Sequence, residues 1–194
     1  MADIDENKIF FTEKQYVELE PKKNTGKILD IGGGGEAIIA QLYEEGVVSI
    51  DLSEEELKEA PVNEALKIIM DARDMDFLAD QFEMVTSFFT LMYIDNEDLE
   101  KVFAEVKRVL KPNRSFLIWD LNIPPRKQAE EEIYAVQLEV EFKNQTIETG
   151  YGVRWQDKKQ DMDNFIKIAQ DNNFSVLEKQ QGENNFYLEL RNNK

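Results

Sequence analysis

Lys27-Ile28-Leu29-Asp30-Ile31 runs directly into Gly32-Gly33-Gly34-Gly35, and a helical pattern begins at Glu36. A short apolar strand, a glycine turn and a helix in that order constrain the rest of the chain. Glycines at this junction let the backbone turn tightly and approach a ligand closely. The start of the following helix offers free N–H groups and the positive end of its dipole. The stretch therefore predicts a nucleotide-type cofactor site, and it leaves open which cofactor.

The segments that follow alternate strand and helix. Ala37, Ile38, Ile39, Leu42 and Tyr43 predict a helix apolar on most faces, as one packed on a sheet would be. Val47–Asp51 reads as a β-branched second strand, and Ser53 with Glu56 has capping-box spacing for a second helix. The acids Glu54–Glu56 suit the dipole of that helix's first turn. Strands are predicted at 66–70, 84–89 and 116–119. The clearest helix carries Leu99, Val102, Phe103, Val106, Val109 and Leu110 on one face, capped by Asp95 and Asn96 and stopped by Pro112. Such alternation implies a doubly wound, mostly parallel sheet whose ligand site lies at the carboxyl ends of the strands. Asp51, Asp71, Phe88 and Asp120 fall at those ends, as does the glycine loop.

After Pro124-Pro125 the rhythm changes to period two. Tyr134, Val136, Leu138, Val140 and Phe142 alternate with polar or small residues, and so do Ile147, Thr149, Tyr151, Val153 and Trp155. This predicts a β-hairpin insertion at 133–155 with an aromatic face. That face must bury against something. Two readings stand: a cap over an acceptor pocket, or a homodimer interface. A last helix capped by Asp161 and an antiparallel strand pair with a turn around Gly182 complete a seven-stranded sheet. Residues 1–25 are a polar lead-in containing Ile9, Phe10 and Phe11. Thr12 and Gln15 have capping-box spacing, so Tyr16, Val17 and Leu19 predict one or two helical turns before Pro21. The segment is either an arm packed on the domain or a lid over the site.

A single domain spanning 1–194 is the expectation from 194 residues with neither an internal repeat nor a linker. With 23 basic and 40 acidic residues the net charge is −17, which argues against nucleic acid or an anionic membrane surface as partner. The chain has no cysteine and no histidine, which excludes cysteine nucleophiles and thiolate metal sites and removes the usual general base. No metal is expected. The acidic start, Met1–Asn7, does not read as a signal peptide, and no apolar run is long enough to span a bilayer. The expected location is the cytoplasm.

The glycine motif alone leaves two cofactors open. Gly32, Gly34 and Ala37 satisfy a permissive dinucleotide fingerprint with Asp51 at ribose distance, so a nicotinamide-dependent oxidoreductase is one reading. Asp30, two residues before the glycines, offers nothing to a pyrophosphate but would favour a cofactor bearing an ammonium and a sulfonium. Asp71-Ala72-Arg73 after the third strand places an acid where an adenine amine could be read. From about Lys27 to Trp119 the sequence resembles the class I S-adenosylmethionine-dependent methyltransferases, especially the small-molecule branch. The resemblance rests on ILDIGGGGE, on Asp51 and Asp71, and on FEMVTSFFTLMYI followed by LEKVFAEVKRVLKPN and SFLIWD. Glu36 departs from it, standing where the family has its third glycine. So do Asn113-Arg114 for the usual Gly-Gly, Tyr93 for a frequent histidine, and the hairpin after the fifth strand.

The resemblance implies that the backbone of Gly32, Gly33 and Gly34 holds the amino-acid end of S-adenosyl-L-methionine. Asp30 would orient its ammonium or support the loop. Asp51, with Leu52 beside it, would accept the ribose hydroxyls. Asp71 and the Ala72 N–H would read adenine, and Ser87 and Phe88 would line the methionine portion. The implied reaction is methyl transfer to a small-molecule acceptor by in-line displacement, in which positioning supplies much of the rate. A base is needed only where the acceptor must lose a proton, and Tyr93, Asp120 and Tyr151 are the candidates. A non-catalytic protein that binds the same cofactor is a third reading, kept open by the lack of histidine.

Overall fold

The computed structural model describes residues 6–23, 26–62, 64–126, 130–155 and 160–194. Residues Met1–Asp5, part of the acidic start discussed above, lie outside them. In chain order the strands and helices are β1 (Ile9–Phe11), β2 (Gln15–Glu18), β3 (Ile28–Ile31), α1 (Ile38–Tyr43), β4 (Val47–Asp51), α2 (Glu54–Glu59), β5 (Leu66–Ile69) and β6 (Phe82–Phe88). They continue with α3 (Asn96–Val109), β7 (Leu110–Leu121), β8 (Ile133–Phe142), β9 (Gln145–Arg154), α4 (Met162–Asp171), β10 (Phe174–Gln181) and β11 (Asn185–Asn192).

The main sheet has seven strands in the order β10-β11-β7-β6-β3-β4-β5. Neighbours from β7 to β5 run parallel, and β11 lies antiparallel between β10 and β7. The chain reverses direction across the sheet at β3, so the glycine turn that follows it opens at a topological switch point. One face is covered by α3 and α4. Leu99, Val102, Phe103, Val106 and Val109 of α3 are fully buried against Phe116, Phe165 and Phe174. Each such side chain contributes about 1.5–3 kcal/mol by leaving water.

The opposite face is covered by α1 and by a second sheet, which the expectation of a lone hairpin missed. Its strand β8 pairs antiparallel with β9 along its whole length, while β1 and β2 pair parallel with its other edge. Lys143 and Asn144 both have positive φ, the geometry of a two-residue hairpin turn that matches strand twist. The helical turns expected around Tyr16 are therefore a strand. Gln15, Tyr16 and Val17 alternate in burial, and the edge of β8 pairs in parallel with Gln15–Glu18. The Thr12 N–H donates to the Ala135 carbonyl instead of opening a helix. Gln15 is buried and its Oε1 accepts from the Asn184 N–H and Asn185 Nδ2, both at 3.2 Å, which ties this strand to the β10–β11 turn.

The aromatic face of the hairpin is buried within the chain. Tyr134, Val136, Leu138, Val140, Phe142 and Trp155 share one core with α1 and with the main-sheet residues Ile28, Met84, Leu117 and Tyr187. Phe10 of β1 joins it, stacked 5.6 Å from Tyr134. That face is not available to a second copy of the chain. Two boundaries also move. The α1 helix starts at Ile38 because Ala37, at its N-cap, has a left-handed φ of 50°. The fifth parallel strand begins at Leu110, so α3 ends before Pro112 is reached. The pairing of β7 with β6 breaks register between Phe82 and Met84 to absorb that turn.

Candidate functional site

A cavity of about 750 Å³ opens at the carboxyl ends of β3, β4, β5 and β6, the edge of the sheet where the alternating topology places a ligand. Its floor is the glycine turn. Gly32 has a φ of +72°, and a Cβ there would lie 2.2 Å from the Thr90 side chain, so any other residue is excluded twice over. At Gly34 a Cβ would lie 2.6 Å from Glu56 Cβ and 3.0 Å from Asp51 Oδ2. The turn is thus pressed against the carboxylates of the next strand and helix. Backbone bonds hold it there: the Gly32 N–H donates to the Ile50 carbonyl at 2.8 Å, and the Gly35 N–H to the Glu56 carbonyl at 3.0 Å.

Asp51, at the end of β4, is half committed. Its Oδ1 accepts from the Ser53 N–H at 2.8 Å, while Oδ2 is the oxygen turned toward Gly34. The capping box at the start of α2 is accordingly split. Ser53 Oγ accepts from the Glu56 N–H, but Asp51 takes the place a Glu56 carboxylate would have had, and Glu56 lines the cavity. Burial and the neighbouring acids Glu59, Asp51 and Glu36 push the Glu56 carboxyl above its usual range. Asp71 is clamped by its neighbour: Arg73 Nε lies 3.0 Å from both oxygens and Nη2 lies 2.7 Å from Oδ2. Arg73 also reaches Asp98 at 2.7 Å. These contacts hold the Asp71 carboxyl below its ordinary value.

The cavity brings together Gly32, Gly34, Asp51, Leu52, Asp71, Ala72, Phe88, Tyr93 and Tyr151 of the residues singled out from the sequence. It does not bring in the other four. Asp30 and Gly33 sit behind the turn, around a small void beside the cavity. Asp30 is 2% exposed, and Thr86 Oγ1 donates to its Oδ1 at 2.8 Å. Burial pushes its carboxyl up to about 7. Ser87 is fully buried and its hydroxyl has no partner. Asp120 is also fully buried, and its oxygens accept from the Met92 N–H, the Leu121 N–H and Gln160 Nε2. It braces the segment after β6 and is not among the residues that line the cavity, so the sequence-based expectation of a base at Asp120 meets a fully buried, hydrogen-bonded carboxylate instead.

Neither tyrosine is poised to take a proton. Burial pushes the Tyr93 phenol up to about 12, against a hydrogen bond from the Gly152 backbone. Burial and the Glu36 carboxylate push the Tyr151 phenol up as well. Tyr151 is a wall, stacked 5.8 Å from Phe89 and donating to Glu36 Oε2 at 3.1 Å. Thr149 Oγ1 donates to the other Glu36 oxygen. Gly150 and Tyr151 of β9 therefore line the cavity beside the glycine turn, and the N-terminal strands pair into the same second sheet.

Sequence reasoning missed Glu56, Asp95 and Asp98 as cavity residues. Helix-capping chemistry accounts for acids at these first-turn positions and so concealed them. The signal was positional: α2 and α3 both start just beyond strand carboxyl ends, where the first turn of a helix faces the site. Among the described residues that line the cavity, Glu36, Asp51, Glu56, Asp71, Asp95 and Asp98 carry carboxylates, and Arg73, paired with two of them, is the one cation. No group of three or more acids among the described residues is placed to hold a metal ion. No helix among them is long and apolar enough to cross a membrane.

Comparison with known proteins follows the same geometry. The methyltransferase domain family matches residues 29–118, which run from β3 to the middle of β7. A sterol 4-C-methyltransferase from Caenorhabditis elegans is 30% identical over 103 residues, covering 48% of this chain and 30% of that protein. A cyclopropane-fatty-acyl-phospholipid synthase from Escherichia coli is 32% identical over 110 residues, covering 51% of this chain and 29% of that one. The chain thus spans under a third of the length of these curated relatives. In fold it is similar to a solved SAM-dependent methyltransferase from Methanosarcina mazei, with a TM-score of 0.66 at 16% identity over 90% of this chain and 98% of that one.

Proposed function

We propose that this chain is a class I S-adenosylmethionine-dependent methyltransferase, a reading supported by its match to the methyltransferase domain family over residues 29–118 and by its methyltransferase-like fold, and that it transfers a methyl group to a small-molecule acceptor. The observation that carries the reading is the charge of the cavity. Among the described residues that line it, six carry carboxylates, and the one cation, Arg73, is already paired. A pyrophosphate would meet no free positive group there, which removes the support for a nicotinamide dinucleotide. A cofactor bearing an ammonium and a sulfonium is attracted by the same wall.

In this reading the glycine turn receives the amino-acid end of the cofactor and Asp51 Oδ2 accepts from the ribose. Asp71 and the Ala72 N–H face adenine, and Phe88 with Leu52 supplies apolar contact. When bound, S-adenosyl-L-methionine supplies a methyl group already activated by its sulfonium. The residues of this chain then have to align the acceptor with that carbon and exclude water. Tyr151, Phe89 and Tyr93 are placed for that work. Since Tyr93 and Tyr151 stay protonated near neutrality and Asp120 is out of reach, the reading favours an acceptor that needs no tyrosinate or Asp120 base. We take the chain as one domain in which β1, β2 and the hairpin 133–155 build the cap, and place it in the cytoplasm. Calorimetry against S-adenosylhomocysteine and NADH tests the cofactor. Binding of the first alone supports the reading, and binding of NADH alone overturns it. Turnover of a labelled methyl donor with a metabolite pool tests catalysis.

A further inference from the structure

The cap sheet has a second concavity, on its other face. It measures about 600 Å³ and is lined by Ile9 and Phe11 of β1, Ile133 and Ala135 of β8, and Gly150 and Gly152 of β9. Register places these side chains together: Ile9 faces Ile133, Phe11 faces Ala135, and Ala135 faces Gly152. All belong to the set that alternates with the buried residues Tyr134, Val136 and Leu138. The floor is thus two glycines and an alanine, and the walls are apolar. Phe11 is 53% exposed, an unfavourable position for a phenylalanine with nothing against it. One end is closed by polar groups, Gln137 and the pair of ion bridges from Lys14 to Glu139 and Glu148.

Two features connect this groove to the site already described. Gly150 and Tyr151 line both spaces, so the groove starts where the cavity ends, on the far side of β9. Gly150 and Gly152 also lack the positive φ that would require glycine. A Cβ at Gly152 would meet side-chain carbon, Ile133 Cγ2 at 3.2 Å and Ala135 Cβ at 3.7 Å. Glycine weakens a strand and marks places where a ligand or another backbone approaches closely. Here the two glycines leave the strand bare between cavity and groove.

Resting on the methyltransferase reading, we propose that the groove holds the apolar tail of the acceptor, whose reacting end passes over Gly150 into the cavity. The acceptor is then an amphipathic small molecule with a straight apolar portion, and the groove selects it by length.

The test titrates protein saturated with S-adenosylhomocysteine with straight-chain primary alcohols from butanol to decanol, by calorimetry. Affinity should rise about fourfold per added methylene until the groove is filled. In Gly152→Val, which fills the floor, and in Phe11→Ser, which removes an exposed wall, that rise should be lost while S-adenosylhomocysteine binds as before. Because Phe11 is exposed, the second variant keeps the test valid if the first folds poorly. A flat series in the parent protein overturns the proposal, as does a series unchanged in Phe11→Ser. So does sedimentation showing a dimer that Phe11→Ser dissociates. Loss of S-adenosylhomocysteine binding in the parent overturns the methyltransferase reading itself, and the two failures are distinguishable.

Discussion

Glu36, the residue that ends the glycine turn, holds Tyr151 of the cap through a 3.1 Å hydrogen bond from the phenol. With the Thr149 hydroxyl on its other oxygen, one carboxylate joins the floor of the cavity to its roof. A glycine at this place would leave the roof untethered. The left-handed Ala37 that follows is consistent with a backbone drawn toward the cap before the helix begins. Glu36→Ala is expected to lower stability by about 1–2 kcal/mol, the usual worth of hydrogen bonds to a partly buried carboxylate. It should also speed amide exchange in β9 selectively. Glu36→Gln, whose oxygen can accept from one hydroxyl while its amide N–H donates to the other, should restore part of the protection. Unchanged exchange in β9 of the alanine variant would show that the cap is held by its apolar face alone.

Asp51→Asn separates the two jobs of that side chain. An asparagine oxygen can still accept from the Ser53 N–H, so α2 should remain capped. What is lost is the charge of the second oxygen, beside Gly34. Affinity for S-adenosylhomocysteine is expected to fall about tenfold to a hundredfold, the range for a charge-assisted bond. Calorimetry with full thermal stability retained would place the ribose at Asp51, and unchanged affinity would move it elsewhere.

Much of this architecture is legible in the sequence, and the parts that are not share a cause. The strand–glycine–helix junction, the Ser53 cap and the one-sided helix at 96–109 are local patterns. Each is decided by residues within a few positions of one another. The N-terminal strands are not of that kind: Tyr16 and Val17 extend because β8, more than a hundred residues later, offers an open edge. The carboxylates of Glu56, Asp95 and Asp98 were hidden differently, since helix-start chemistry already explains an acid in a first turn. Asp30 and Asp120 show the limit of reading sites from strand ends. Both lie near a carboxyl end, yet both side chains turn into the protein, where Thr86 and Gln160 meet them.

On the proposed assignment of Asp71 to adenine, Arg73 competes with the cofactor for that carboxylate. Its guanidinium spans both oxygens of the carboxylate that the adenine amine would use. Arg73→Gln should therefore raise affinity for S-adenosylhomocysteine a few-fold, while affinity for adenosine moves in the same direction. A loss of affinity instead would mean that Arg73 itself touches the nucleoside.

Asp30 gives the fold a pH dependence whose sign follows from its burial. Its carboxyl is pushed up to about 7 in the folded chain, whereas an unfolded aspartate titrates near 4. The folded state therefore holds a proton that the unfolded state has released across that interval. The contribution is complete below about pH 4 and is lost as pH rises through 7. At about 1.4 kcal/mol per pH unit, the loss across the window is on the order of 4 kcal/mol. Asp30→Asn cannot ionise, and its oxygen can still accept from Thr86. The variant should gain on the parent steadily between about pH 4 and pH 7, and the difference should level off above that. Urea midpoints of both proteins measured across this range check it, and a constant difference would mean that Asp30 is ionised in the folded chain throughout.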